Sequence, residues 1–443
     1  MVKLIESFVI KPAGHTPNGL MSLSDFDQVA AITHAPIVYF YQGPIDFDSF
    51  IFTLKDSLAK VLVPFYPLAG RLRSIGEGRF EVDYDPIGAQ FLVAESEATI
   101  EYFGDFHPTP ELRALVPLVD SKAPLHEQPL LLVQVTKLSC GGICLGMAVS
   151  HIMVDGPGGS HFTIEWARIA RGEQLSNPPF LDRTVLQVND PLLPPGFDHP
   201  EYSSPPLLVG RLDAMEERMK KTMMFTLKLT KKEVDTLKDK ANNGRNNINA
   251  RSYSRFEAVG GHMWRSACKA RRHVSQQTTR LYFPMDVRNR IEPPLPKFYF
   301  GNAMCRAAAT STSGEILSNP LSYASSKIRE AVDKATDEYL RSSMRLVKNL
   351  QDVSQYRNFH SPGCTQGAFH GNPNMAINSW TRLPMYGADF GWGKEIYIGP
   401  AALGSEGKSV IIHSSQEDDS FDIVLNLQVA HMEDFKKFFY DDI

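Results

Sequence analysis

Gly146-Met147-Ala148-Val149-Ser150-His151-Ile152-Met153-Val154-Asp155-Gly156-Pro157-Gly158-Gly159 is the stretch on which the reading of this chain turns. The apolar run Ile143 to Val149 predicts a buried strand. It delivers His151 at its end, where a run of glycines begins. Glycine lacks a Cβ, so the backbone there can turn tightly and a ligand can approach closely. Beyond the glycines, Phe162, Trp166 and Ile169 recur on one face, which predicts a helix over 160–171. A histidine between a buried strand and a Gly-rich turn is placed to act as a general base. Its ordinary pKa of about 6.5 lets it take a proton near neutral pH. One histidine among the 13 of this chain is also a common structural or surface residue. An acid four residues on is no distinction in itself, since His107, His161 and His413 have Glu111, Glu165 and Glu417. His151 alone combines Asp155, the preceding apolar run and the following glycines.

Outward from this stretch, Leu130–Thr136 and Ile143–Val149 read as an antiparallel pair around Ser139-Cys140-Gly141-Gly142. Upstream, strands are expected at 4–10, 37–41, 80–82 and 90–94. A helix over 47–63 is expected to stop at Pro64, and Pro67–Leu72 reads as a turn. Downstream, 186–212 is proline-rich and predicts an extended crossover. Strands are then expected at 223–229, 279–287, 376–380, 395–398, 408–413 and 421–428. Helices are expected at 231–240, 254–272, within 322–353 and at 432–439, with a polar loop at 242–253 and a turn at 293–301. Strands and helices mix without regular alternation, which predicts an α/β architecture on mixed sheets.

The whole chain sets bounds on function. Its 443 residues suffice for about two domains. Hydrophobic residues at 43% and charged residues at 22% describe an ordinary globular protein. A net charge of −4 gives no reason to expect a nucleic-acid surface. No apolar stretch approaches the roughly 18 residues that span a bilayer, and Met1–Glu6 shows no signal-peptide core. Five scattered cysteines (Cys140, Cys144, Cys268, Cys305, Cys364) suggest free thiols in a reducing, cytoplasmic setting. Cys140 and Cys144 lack partners at zinc-site spacing, and no metal site is expected.

His151-Ile152-Met153-Val154-Asp155-Gly156 and Asp389-Phe390-Gly391-Trp392-Gly393 together resemble the HxxxDG and DFGWG motifs of the plant BAHD acyltransferases. Tyr66–Arg71 and Tyr299-Phe300-Gly301-Asn302 support the match, which runs essentially end to end. The resemblance implies two similar-sized mixed-sheet domains of the CoA-dependent acyltransferase type, with a channel between them. The expected division is 1–190, a crossover at 191–220 and 221–443, with residues near 376–400 free to pack with the N-terminal domain. It also implies a monomer, no permanently bound cofactor and an acyl-CoA co-substrate.

Acyl transfer from a thioester needs a deprotonated nucleophile and donors for the oxyanion. No Gly-x-Ser-x-Gly elbow occurs, which argues against a serine acyl-enzyme and a hydrolase. Direct attack, with His151 as base, is therefore expected. By resemblance, the Trp380 indole N–H faces the tetrahedral intermediate, and Asn378 stands where shikimate-type transferases carry threonine. By resemblance also, Asp155 pairs with Arg288 in a structural role, and Asp389, Gly391 and Gly393 form a structural turn. Ser254 and Arg255 match the CoA-side segment at a helix start, where N–H groups favour anions. Lys269, Arg271 and Arg272 are further candidates for the CoA phosphates, or else part of a solvated basic face.

His34 and Tyr39 match acceptor-side positions of shikimate hydroxycinnamoyl transferases. Those enzymes also hold the acceptor carboxylate with an arginine, and Cys364–Gly371 contains none. A buried carboxylate without a counter-charge is costly. The resemblance is closest to spermidine hydroxycinnamoyl transferases, through Thr33-His34-Ala35-Pro36 and Val38-Tyr39-Phe40-Tyr41. The expected reaction is N-acylation of a polyamine by caffeoyl-, coumaroyl- or feruloyl-CoA. One departure is Gly387, where aspartate is common in those enzymes. The alternatives are O-acylation of an alcohol such as shikimate or quinate, and a non-catalytic CoA-ester binder.

Overall fold

The computed structural model describes residues 1–120, 122–188, 193–243, 251–357, 367–414 and 419–443. Cys364, the middle of the 242–253 loop and the expected boundary at 190 lie outside them. In chain order the first half carries β1 (Val2–Ile10), β2 (Leu20–Ser22), α1 (Asp25–Gln28), β3 (His34–Tyr41), α2 (Phe47–Val61), β4 (Arg71–Gly76), β5 (Arg79–Asp83), β6 (Ala89–Ser96) and α3 (Pro110–Arg113). The hairpin β7 (Leu131–Leu138) and β8 (Ile143–Ser150) then leads into α4 (Gly156–Ala170). Beyond the crossover come α5 (Met215–Met219), β9 (Thr222–Leu229), α6 (Lys231–Asn243), α7 (Arg255–Ala270), β10 (Thr278–Asp286) and β11 (Met304–Thr312). The chain ends with α8 (Ser313–Ser318), α9 (Leu321–Asp333), α10 (Asp337–Lys348), β12 (Met375–Ser379), β13 (Tyr397–Pro400), β14 (Lys408–His413), β15 (Phe421–Gln428) and α11 (Val429–Asp441).

These strands build two six-stranded sheets, ordered β1-β6-β7-β8-β3-β13 and β11-β10-β12-β14-β15-β9, beside a small β2-β5-β4 sheet. Both large sheets are mixed: β6–β7, β10–β12 and β12–β14 run parallel among antiparallel neighbours. The sequence crosses over late, because β12 joins the second sheet and β13 returns to pair with β3 in the first. Pro67–Leu72, read as a turn, is a short 3-10 turn at Tyr66–Ala69 running into β4.

Side-chain alternation along β3 sorts the cores. Tyr39 and Tyr41 point into a core under α2 and α4 with Phe50, Leu54 and Trp166. Val38 and Phe40 point the other way and meet Val410, Ile412 and Val424 of the second sheet, so an apolar seam joins the two sheets. Gly146 of β8 lies where the backbone before β7 crosses the sheet, and a Cβ there would sit 2.0 Å from the Leu115 carbonyl oxygen. Gly146→Ala is expected to destabilise the protein by about 1–3 kcal/mol, the usual range for overpacking. Thermal unfolding of the purified variant checks this, and an unchanged melting temperature would show that the backbone yields freely.

The Asp389–Gly393 turn is pinned to the first sheet's helices. The Asp389 carboxylate accepts from the Gly391 N–H at 2.8 Å and the Gly393 N–H at 3.0 Å. Gly391 and Gly393 take φ of 108° and 99°, values that favour glycine. Phe390 packs edge-on against Trp166 at 4.9 Å, and Trp392 meets Phe50 at 4.6 Å. Arg171 donates to the Asp389 carbonyl.

Candidate active site

His151 follows β8 directly and heads the turn into α4. Three groups grip the backbone of this turn. Asn302 Nδ2 donates to the carbonyls of His151 at 3.0 Å and Ile152 at 3.1 Å. Arg183 donates to the Met153 carbonyl at 3.0 Å. Behind both lies the buried Asp27 carboxylate, which accepts from Arg183 at 2.9 Å and from the Asn302 backbone N–H at 2.8 Å. The His151 N–H itself donates to the Thr33 carbonyl at 3.1 Å.

Asp155 closes the turn. It caps α4 by accepting from the Gly158 N–H at 3.1 Å and takes the Ala303 N–H at 2.9 Å. Arg288 meets both its oxygens at 2.9 Å in a two-pronged pair. Each carboxylate oxygen therefore has two donors and none is left for the imidazole.

The His151 side chain lines a cavity of about 180 Å³ between the two sheets. Asn378, Trp380, Tyr282, Arg306, His370 and Lys408 face the same space. Strand pairing explains why they meet. Tyr282 lies opposite Ala376 and Ala376 opposite Lys408, so one row crosses β10, β12 and β14. Arg306 on β11 is paired with Pro284 of β10, two residues along from Tyr282. Period-two alternation then puts Arg306, Tyr282, Asn378 and Lys408 on one sheet face.

Electrostatics leave the imidazoles neutral. Burial lowers the His151 pKa below its ordinary 6.5, and the Lys408 ammonium lowers it further against the opposing pull of Asp155. Burial and the nearby Arg306 and Lys408 hold His370 well below its ordinary value. Arg306 donates to His370 Nε2 at 3.3 Å, which requires that nitrogen to be unprotonated.

The other expected site residues fall elsewhere. His34 sits beside the site, paired with Ser150, with Nε2 on the Pro129 carbonyl at 2.7 Å and its pKa lowered by burial to about 4. Tyr39 is not brought to the cavity. An odd number of residues from His34, it points to the opposite face of β3 and is 2% exposed in the core. Ser254 caps α7 by accepting from the Glu257 N–H, and Glu257 pairs in turn with Arg329. Arg255 pairs with Asp235 at 3.1 Å. Lys269 lies at the far end of α7, about 20 Å from Ser254 at 1.5 Å per residue, and pairs with Asp442. Helix length thus separates Lys269 from any anion held at the start of α7. Arg271 is buried on Glu406 at 2.6 Å, and Arg272 pairs with Asp434 at 2.9 Å. Sequence reasoning missed Arg306, Lys408, His370 and the Asp27–Arg183–Asn302 cluster.

Two mixed-sheet halves with a histidine at the cavity between them are the arrangement that the resemblance to CoA-dependent acyltransferases leads one to expect. Residues 1–442 match the model described as the Transferase family. The chain is 48% identical to hydroxycinnamoyl-CoA:piscidic acid hydroxycinnamoyltransferase of Actaea racemosa over 100% of both chains. It is 40% identical to shikimate O-hydroxycinnamoyltransferase of Nicotiana tabacum over 99% of both. The crystal structure of vinorine synthase matches with a TM-score of 0.73 at 21% identity, covering 98% of this chain and 96% of that one. TRI101 of F. graminearum, complexed with coenzyme A and T-2 mycotoxin, matches with a TM-score of 0.78 at 17% identity, covering 95% and 97%. The chain belongs to the Transferase family of BAHD acyltransferases, whose co-substrate is an acyl-CoA thioester.

Proposed function

We propose that this protein transfers a hydroxycinnamoyl group from its CoA thioester to the hydroxyl of a small hydroxy acid. The donor class is supported by the relatives, which are hydroxycinnamoyl-CoA transferases by name. The observation that carries the acceptor class is the charge of the cavity. Arg306 and Lys408 face it beside His151, while Asp155, its acidic lining residue among those described, is closed off by Arg288. Cationic walls favour an anionic acceptor and repel a polyamine, which is mostly protonated at neutral pH. Residues 364–371 offer an acceptor carboxylate no counter-charge, and the expectation of a polyamine acceptor follows from that segment. That expectation gives way to cations contributed by β11 and β14, and with it the preference for spermidine.

The chemistry follows from the neutral imidazole. His151 takes the acceptor's hydroxyl proton as that oxygen attacks the thioester carbonyl carbon. The resulting oxyanion is met by the Trp380 N–H and the Asn378 amide. Collapse breaks the C–S bond, and the imidazolium returns the proton to the CoA thiolate. Its base is available near neutral pH because burial has lowered the pKa. Ser254 and Arg255 remain the proposed CoA-side contacts, without Lys269.

The test is CoA-thiol release with coumaroyl-, caffeoyl- and feruloyl-CoA against shikimate, piscidic acid, neutral alcohols and spermidine. The hydroxy acids are expected to turn over at least about tenfold faster than spermidine, the discrimination that 1.4 kcal/mol of charge preference supplies. A preference for spermidine would restore the polyamine reading.

A further inference from the structure

Arg306 faces two spaces at once. One is the cavity that holds His151, and the other is a cleft of about 900 Å³ lined by Ser203, Gln355 and Tyr356 among others. Tyr202, Arg306 and His370 line both, so they form a neck between cleft and cavity. Arg306 is partly buried there, and burial pulls down its pKa. It makes no ion pair with a carboxylate among the described residues. Its hydrogen bonds there go to His370 Nε2 and the Tyr356 carbonyl, both at 3.3 Å. A guanidinium carries five N–H donors in a planar fork, so a two-oxygen anion can still be held by this side chain. Among the described residues the nearby Glu201 carboxylate opposes this lowering of the Arg306 pKa but is bonded to His199 and Tyr339 rather than to Arg306, so the partly desolvated guanidinium keeps donors for an anion. His370 supplies no such anion: neutral and already accepting, it orients the guanidinium.

We propose that Arg306 is the receptor for the acceptor's carboxylate, and that the acceptor comes through this neck from the outer cleft with its hydroxyl toward His151. This rests on the hydroxy-acid reading above and deepens it, naming the residue and the side of approach. β11 is two strands from β12, which carries Asn378, and neighbouring strands are about 4.8 Å apart. The anchor and the oxyanion donor are thus about 10 Å apart at the backbone. That spacing selects acids whose hydroxyl lies within a few bonds of the carboxylate.

The experiment compares shikimate and piscidic acid with their methyl esters, using coumaroyl-CoA. It uses the wild-type protein and R306Q, R306K and R306E, with circular dichroism and coumaroyl-CoA titration as folding controls. Wild type is expected to prefer each acid over its ester. R306Q is expected to lose about 10²–10³-fold in kcat/KM for the acids, mostly in KM, the usual effect of truncating one side of a buried charge pair. Its loss with the esters is expected to be much smaller than with the acids, because the ester keeps a carbonyl acceptor but no charge to pair, so the wild-type preference for acid over ester should disappear. R306K should recover part of the acid activity, and R306E should lose it altogether. Folded R306Q that still discriminates acid from ester as wild type does would overturn this assignment alone. Wild type without preference for acid over ester would overturn the hydroxy-acid reading together with it.

Discussion

His151→Ala is expected to lower turnover by about 10²–10⁴-fold, the usual worth of a positioned general base, while coumaroyl-CoA still binds. The turn that carries the ring is held by backbone bonds from Asn302 and Arg183, so removing the imidazole leaves its frame in place. Stopped assays of CoA-thiol release measure the loss, and fluorescence titration measures the binding. The pH profile supplies a second check. Burial, aided by Lys408, puts the His151 pKa below 6.5, so protonation removes the base only under more acidic conditions. Activity in kcat/KM should therefore hold as pH falls from 7 to 6.5 and decline below that. This acid limb should vanish from the residual activity of His151→Ala. Near-normal turnover in the variant, or an acid limb that persists in it, would discard direct attack with this base.

Much of the frame was open to sequence reading because it is local. The Ile143–Val149 run, the glycines after His151 and the helix carrying Trp166 give β8, the turn and α4. The HxxxDG and DFGWG segments carried the family. The walls of the cavity were not open in the same way. Arg306 lies on Met304-Cys305-Arg306-Ala307-Ala308-Ala309, where alanine-rich sequence gives no alternation strong enough to mark a strand. Its neighbour His370 is 64 residues away, and only the pairing of β11, β10, β12 and β14 brings Arg306 and Lys408 to one face. The clamp behind His151 joins Asp27 to Asn302 across 275 residues, a contact that no local pattern encodes. Tyr39 is a different case. Its separation from His34 by five residues along one strand already puts the two on opposite faces, so a period-two argument could have removed it from the acceptor side.

Asp155→Ala is expected to cost about 3–5 kcal/mol of stability, because it leaves a buried partner charge uncompensated. The Asp155 side chain is fully buried and that of Arg288 is 15% exposed, so solvent screens the pair poorly. The loss also frees the Gly158 and Ala303 N–H groups and removes the cap of α4. Denaturant unfolding measures the cost, and a double-mutant cycle with Arg288→Met separates its parts. Removing both charges should recover a substantial share of the loss, since the unpaired guanidinium is then gone. The rival view makes Asp155 the orienting acid of a catalytic triad. That role needs an oxygen turned toward the imidazole, and both oxygens already receive two donors each. Asp155→Asn should therefore keep the acid limb of the pH profile where wild type has it and lose rate only as far as the folded fraction and the turn's geometry are lost. A fully folded Asp155→Asn protein whose turnover falls as far as that of His151→Ala would transfer Asp155 from the frame to the chemistry.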